Sequence, residues 1–324
     1  MPSAGSPGGS ILVVGGTHGN ERNAPWLLRQ WQAGASKPRN PGFALELVLG
    51  NPAAFQACRR YLERDLNRCF DPSLLADPLL QLHEVVRARE LLQRYGPEAP
   101  QPCLVALDLH STTAAMGNSL VVYGRRPADL ALAAALQQQL GLPIYLHEAD
   151  AAQTGFLVER WPCGLVIEVG PVPQGVLDSG ICRQTQIAVE QTLALLDGAA
   201  SGHVLLPPEL VVHRHLFSVD VPRDADGIPR LLLHPQLQGR DWQPLRPCDP
   251  VFIGSEGQEV SLAEVLLPAW QRESSFWPVF IGEASYGEKG IAFSLTRREV
   301  WPVAELWCDA LINLSQRLQR GAPL

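Results

Sequence analysis

The residues that could do chemistry sit in a few short stretches. His18 and Glu21 form an H-x-x-E pair directly after the apolar run 11–14 and the turn Gly15-Gly16. Imidazole and carboxylate are good zinc ligands, and a catalytic zinc takes three protein ligands and keeps a fourth position open. A spacing of three lets both side chains converge over one helical turn, and the glycines at 15, 16 and 19 let the backbone bend there. A third ligand is expected at the carboxyl end of another parallel strand, where α/β sheets place their ligands. His110 fits, because it ends the apolar run 104–109. Asp108 would share its strand face and orient the imidazole by a hydrogen bond. His213 and His215 alternate as on one strand face and form the rival pair, expected on a solvated face or at a domain contact. His83, His147, His203 and His234 have no comparable setting.

Two further stretches complement this group. Glu168 closes the apolar strand candidate 165–167, just before Val169-Gly170-Pro171. A carboxylate there is costly unless it is paired or functional. It is either a salt-bridge partner of an arginine or, beside a zinc site, the general base for a hydrolytic water. The segment 59–68 carries Arg59, Arg60, Arg64 and Arg68, with Asn67 beside the last. Arginine forks match carboxylates and developing oxyanions. A charged surface helix is the bland alternative, but its i,i+4 pairs Arg60–Arg64 and Arg64–Arg68 would be like-charged. A phosphate-loop alternative for GGTHGN fails, since the glycines do not follow G-x-G-x-x-G and no G-x-x-x-x-G-K-[ST] occurs.

These motifs must be positioned by a sizeable fold. The chain has 324 residues, 46% of them hydrophobic and 18% charged, enough for a full core and long enough for two domains. The net charge of −7 argues against a nucleic-acid binder, which needs a basic face. Seven scattered cysteines with no C-x-x-C pair argue against a disulfide framework or a cysteine zinc site. The start, MPSAGSPGGS, lacks the basic patch and apolar core of a signal peptide, and no apolar run reaches the roughly 18 residues of a membrane span. A reduced, cytoplasmic protein is the expectation.

Strand candidates at 11–14, 44–49, 103–109, 119–123, 143–146 and 165–169 alternate with helical patterns at 79–95, 128–140 and 181–196. That spacing implies an α/β domain with a largely parallel sheet flanked by helices. GAASGH at 198–203 reads as a boundary, and the short apolar runs broken by proline and glycine beyond it read as a smaller, mostly β domain. The expected division is 1–200 and 201–324, with helical periodicity returning over 303–318.

Taken together, GGTHGNE (15–21), NPAA (51–54), RYLERDLNRCFD (60–71), DLHSTT (108–113), IEVGPVPQGVL (167–177) and PVFIGEASYGEKGIAF (278–293) resemble the aspartoacylase / succinylglutamate desuccinylase family, relatives of the zinc carboxypeptidases. The resemblance implies a zinc carboxypeptidase-like sheet in the first domain and one Zn²⁺ per chain, held by His18, Glu21 and His110. It implies that Glu168 is the general base and that Arg60 polarises the scissile carbonyl. Asn67 and Arg68 would hold the substrate carboxylate, and Tyr286 would be brought in by the second domain. It also implies a dimer or higher oligomer. Familiar animal members carry a further substrate-gripping arginine upstream of the IEVGP strand. Phe156 stands in its place here, and a tyrosine just before it is also absent.

The expected activity is hydrolysis of an N-acyl amino acid, with N-acetyl-L-aspartate the first substrate. The alternatives are succinyl-glutamate or N-acetyl aromatic substrates, a carboxypeptidase-like peptidase, and a non-catalytic zinc-stabilised binding module. The expected partner is a small molecule, not nucleic acid or membrane.

Overall fold

The computed structural model describes residues 9–148, 150 and 153–319. The expectation about a signal peptide falls largely on residues 1–8, outside this range. No helix among the described residues is long and apolar enough to cross a membrane. All seven cysteines are free.

The chain is built on a nine-stranded mixed sheet. Its first seven strands in sequence are β1 (Ser10–Gly15), β2 (Leu45–Leu49), β3 (Cys103–Ser111), β4 (Asn118–Tyr123), β5 (Ile144–His147), β6 (Cys163–Val169) and β7 (Glu209–Val219). Three short strands, β8 (Leu232–Leu233), β9 (Pro250–Ile253) and β10 (Glu259–Ser261), form a second sheet. The last two, β11 (Trp277–Val279) and β12 (Phe293–Pro302), return to the first, whose order is β11-β12-β7-β5-β4-β6-β3-β1-β2. Most neighbours in the large sheet are parallel; β4 against β6, β7 against β12 and β11 against β12 are antiparallel.

The centre of this sheet is buried on both faces, which is why its strands read as unbroken apolar runs. Every residue of β1 is buried. Ile11 and Val13 face one core, under the helices Asn23–Gln32, Pro127–Leu140, Ser179–Ala200 and Glu305–Gln319. Leu12 and Val14 face the other, formed with Val85, Ala88 and Leu91 of the helix His83–Tyr95 and with Leu66, Phe70 and Trp161 from loops. A third core around Leu237, Phe252, Phe276 and Phe293 belongs to the later part of the chain.

The α/β architecture with a mostly β later part matches the expectation. In detail the two parts are fused, because β7, β12 and β11 extend the first sheet instead of building one of their own. His213 and His215, expected on a solvated face or at a domain contact, are buried in β7 at 7% and 6% exposure. The pairing of β7 with β5 places them inside the large sheet, where His215 meets Tyr145 of the first part of the chain.

The arginine-rich segment is not a helix. It follows the short helix Pro52–Gln56 and consists of turns and one 3₁₀ turn at Leu66–Arg68. The reason lies in Glu84, fully buried in the helix His83–Tyr95. Its Oε1 accepts from the Leu62 amide at 2.7 Å and from Asn51 Nδ2 at 3.1 Å, and its Oε2 from the Glu63 and Arg64 amides at 3.2 and 3.1 Å. Those amides are thereby satisfied without helical partners. Burial alone would raise the Glu84 carboxyl, but these donors hold it below its ordinary value. Its contribution to stability is therefore present above the unfolded value of about 4.5 and is lost as pH falls through the lower folded value. Glu84→Ala, which strands several buried donors, should lower stability by on the order of 3 kcal/mol at neutral pH. The gap to wild type should narrow below about pH 4.5 in denaturant titrations. An equal gap at pH 7 and pH 3.5 would contradict this.

Candidate active site

Side chains on one face of the sheet line a single cavity. Alternation along the strands puts His110 of β3, Val166 and Glu168 of β6, Val121 and Tyr123 of β4, and Tyr145 and His147 of β5 on that face. The β3–β6 register sets His110 directly beside Glu168. His18 and Glu21 enter from the turn after β1, while Arg60, Asn67 and Arg68 enter from the arginine segment and Tyr286 from the later part. All eight residues singled out in the sequence thus meet at one cavity.

The turn after β1 is fixed by close backbone approach. A Cβ on Gly19 would lie 2.1 Å from the carbonyl carbon of Ala54, and one on Gly50 would lie 2.9 Å from Thr17 Cα. Glycine is therefore required where the two loops touch. The Asn51 side chain accepts from the Ala54 amide at 3.1 Å and caps the short helix that Gly19 rests on.

His18, Glu21 and His110 converge tightly. His18 Nδ1 lies 2.6 Å from Glu21 Oε1 and 3.1 Å from His110 Nδ1, which is 3.2 Å from Glu21 Oε2. Behind each imidazole stands a buried carboxylate. Asp65 Oδ1 is 3.0 Å from His18 Nε2, and Asp108 Oδ2 is 2.8 Å from His110 Nε2. Thr17 Oγ1 donates to Asp108 Oδ1 at 2.6 Å. Carboxylates at both Nε2 atoms assign the N–H to that side and turn the Nδ1 lone pairs inward. Two lone pairs and a carboxylate then face one point, an arrangement that a divalent cation satisfies. Burial alone would raise the Glu21 carboxyl, yet His18 and His110 hold it well below the usual carboxylate range.

Arg60 closes one side. Its Nη2 is 3.2 Å from Asp65 Oδ2 and its Nη1 3.7 Å from Glu21 Oε1, while its buried Nε has no partner among the described residues. Burial opposes its charge, but Asp65 and Glu21 more than compensate and keep it protonated. Asn67 Oδ1 accepts from the Leu157 amide at 2.8 Å, which leaves the Nδ2 hydrogens for a ligand. Arg68 donates to the Asn67 carbonyl at 2.6 Å and to Gln153 Oε1 at 2.8 Å, and lies 4.2 Å above the Phe156 ring. Glu168 Oε2 is buried with no partner among the described residues. Burial, with Glu21 and Glu283 adding repulsion, pushes its carboxyl up to about 8, against the pull of His110 and Arg60.

Several participants were not visible in the sequence reading. Asp65 sits inside the arginine segment, two residues before Asn67. Its partner His18 is 47 positions away, so spacing gives no sign of the contact. Lys289 Nζ also reaches Asp65 Oδ2 at 3.0 Å, and burial brings this amine down to about 8. Glu283 accepts from the Thr113 amide at 2.7 Å and from both threonine hydroxyls of the loop after His110. Its carbonyl accepts from the Tyr286 amide at 2.9 Å, so it anchors the turn carrying Tyr286 to the first half of the chain. His147, earlier assigned no special setting, faces the cavity and packs 5.1 Å from Phe156, whose ring stacks on Tyr123 at 3.9 Å. Arg160 lies in the short turn Leu157–Arg160 and is exposed.

The family model described as the succinylglutamate desuccinylase/aspartoacylase catalytic domain matches residues 7–196, and the AstE/AspA barrel-sandwich hybrid domain matches residues 208–298. A protein described as a probable aspartoacylase from Synechococcus sp. (strain CC9605) is 57% identical over 304 residues, covering 94% of this chain and 97% of its own length. Another with the same description, from Parasynechococcus marenigrum (strain WH8102), is 58% identical over 94% of this chain and 98% of its own length. Among solved structures, murine aminoacylase 3 is similar, with a TM-score of 0.80 and 37% identity over 93% of this chain and 98% of its own.

The contact at Gly19 is the most sensitive part of this assembly. Gly19→Ala should cost about 1–3 kcal/mol of stability by equilibrium denaturation, because backbone must move to admit the methyl group. Unchanged stability would show that the two loops have slack.

Proposed function

The chain belongs to the succinylglutamate desuccinylase/aspartoacylase family, and on that premise we propose that it is a zinc-dependent amidohydrolase that removes the acyl group from an N-acyl amino acid. N-acetyl-L-aspartate is the first substrate, yielding acetate and L-aspartate. The observation that carries this proposal is Glu168, a carboxylate with a buried oxygen that has no partner among the described residues, beside the inward-facing donors His18, Glu21 and His110. The division of labour is part of the proposal. Residues 1–200 supply the metal ligands, the base and the arginines, and residues 201–324 supply Tyr286.

One Zn²⁺ per chain, held by His18, Glu21 and His110, supplies Lewis acidity and lowers the pKa of water toward about 7. Glu168 accepts a proton from the water that attacks the acyl carbon. Arg60 faces the acyl oxygen and stabilises the charge that develops on it. As the carbon–nitrogen bond breaks, Glu168 returns the proton to the leaving amine. Arg68 and the Nδ2 of Asn67 receive the substrate's α-carboxylate, and the Tyr286 hydroxyl adds a donor. Asp65 and Asp108 keep the two imidazoles in the tautomer that turns Nδ1 inward.

A second substrate class is favoured by one observation. The cavity wall beside Arg68 is aromatic, with Phe156 stacked on Tyr123 and with Tyr145 and Phe280 5.7 Å apart. Such a wall suits an N-acyl amino acid with an aromatic side chain.

Glu168→Gln should lower kcat by on the order of 10²–10⁴-fold while zinc stays near one per chain. Substantial residual turnover would remove Glu168 as the base. A panel of N-acyl amino acids should show the highest kcat/KM on N-acetyl-L-aspartate in wild type, and Phe156→Arg should favour it further over N-acetyl-L-phenylalanine. Faster turnover of the aromatic substrate by wild type would assign the second class instead.

A further inference from the structure

We propose that His147, Asp150 and His215 form a second divalent-metal site, separate from the His18–Glu21–His110 group and taking a first-row transition ion such as Zn²⁺ or Co²⁺. The two histidines are cross-strand neighbours. Tyr145 pairs with His213 and Leu146 with Arg214 between β5 and β7, so His147 and His215 are the next step of that register. Their rings lie 5.0 Å apart, and both residues are buried at 6% exposure. Asp150 follows His147 by three residues in the sequence, and its carboxylate lies close to both rings. Its Oδ2 is 3.5 Å from His147 Nε2 and 3.6 Å from His215 Nε2.

Those separations are long for hydrogen bonds. They are close to the roughly 3.4 Å expected between two atoms bound at about 2.05 Å to one tetrahedral ion. His147 Nε2 is fully buried and has no hydrogen-bond partner among the described residues. His215 is held from behind, with Tyr145 Oη 2.8 Å from its Nδ1. If the Nδ1 hydrogen is donated to that oxygen, the Nε2 lone pair turns toward Asp150. Such an outer hydrogen bond is the usual support of a metal-binding imidazole. One ligand atom from each of the three residues lies within 4.8 Å of the others, as in the His18 group. Two imidazoles and one carboxylate favour zinc, cobalt or nickel over calcium or magnesium, which want oxygen ligands.

The position ties this site to the substrate cavity. His147 packs edge-on against Phe156, and Asp150 Oδ2 accepts from Gln153 Nε2 at 3.3 Å. Gln153 in turn holds Arg68. An ion here would stand behind the arginine and aromatic wall that face the substrate, away from the acyl group.

The test uses the full-length protein, stripped of metal, reloaded with excess Co²⁺ and freed of unbound ion by gel filtration. Wild type should retain two cobalt ions per chain. The paired variant His147→Ala/His215→Ala and the paired variant His18→Ala/His110→Ala should each retain one. The visible cobalt spectra of the two variants should sum to that of wild type. Asp150→Asn, a near-isosteric change, should weaken the second ion by on the order of tenfold or more without altering the circular dichroism. One cobalt per chain in wild type, lost in the His18/His110 variant and bound as tightly in Asp150→Asn, would overturn the second site while leaving the proposed hydrolase intact.

Discussion

The structure depends on how negative charge is balanced at one point above the sheet. Glu21 and Glu168 lie on the inner side of His18 and His110, Asp65 and Asp108 stand behind the two imidazoles at Nε2, and Glu283 lines the same cavity, while Arg60 pairs with Glu21 and Asp65 and Lys289 with Asp65. Carboxylates are removed from water only when they are paired, hydrogen-bonded or bound to metal. Asp65 is met by His18, Arg60 and Lys289, Asp108 by His110 and Thr17, and Glu283 by the threonine loop. Glu21 and the two inward Nδ1 atoms are left facing one another, and Glu168 is left with an oxygen that has no partner among the described residues. The unresolved charge and the chemistry coincide, as is common where titratable groups are perturbed.

Around that point the fold is arranged to hold loops still. The turns after β1 and β2 press together through glycines, so the spacing of His18 and Glu21 is set by backbone contact. Glu84 draws three amides of the arginine segment onto one buried carboxylate and so fixes where Arg60 and Arg68 begin. Glu283 does the same from the other end of the chain, tying the Tyr286 turn to the loop after His110. Rigid supports of this kind are what a site needs if its groups are to be preorganised.

How much of this was legible in the sequence follows from the range of each interaction. The strands were legible because burial on both faces leaves long apolar runs, as in β1, β3 and β6. His18, Glu21, His110 and Glu168 were legible because each closes or directly follows such a run. The arginine segment read as a source of cations for carboxylates and oxyanions, with a charged surface helix as the alternative, and nothing local reveals that Glu84 captures its amides from the helix His83–Tyr95. Arg60, Asn67, Arg68 and Tyr286 acquired definite positions only through the family resemblance. Asp65 and Glu283 meet partners 47 and 170 positions away, and no spacing rule connects them. His215 read as lying on a solvated face or at a domain contact, because alternation gives the face of a strand but not what lies over it. Its neighbour is β5, and the parallel pairing that joins them brings β7 into the first sheet.

The most direct test of the central claim is anomalous diffraction at the zinc edge from crystals of the zinc-loaded protein. The account predicts a peak at about 2.0–2.2 Å from His18 Nδ1, His110 Nδ1 and a Glu21 carboxylate oxygen. Absence of a peak there, with the three side chains still converged, would contradict it.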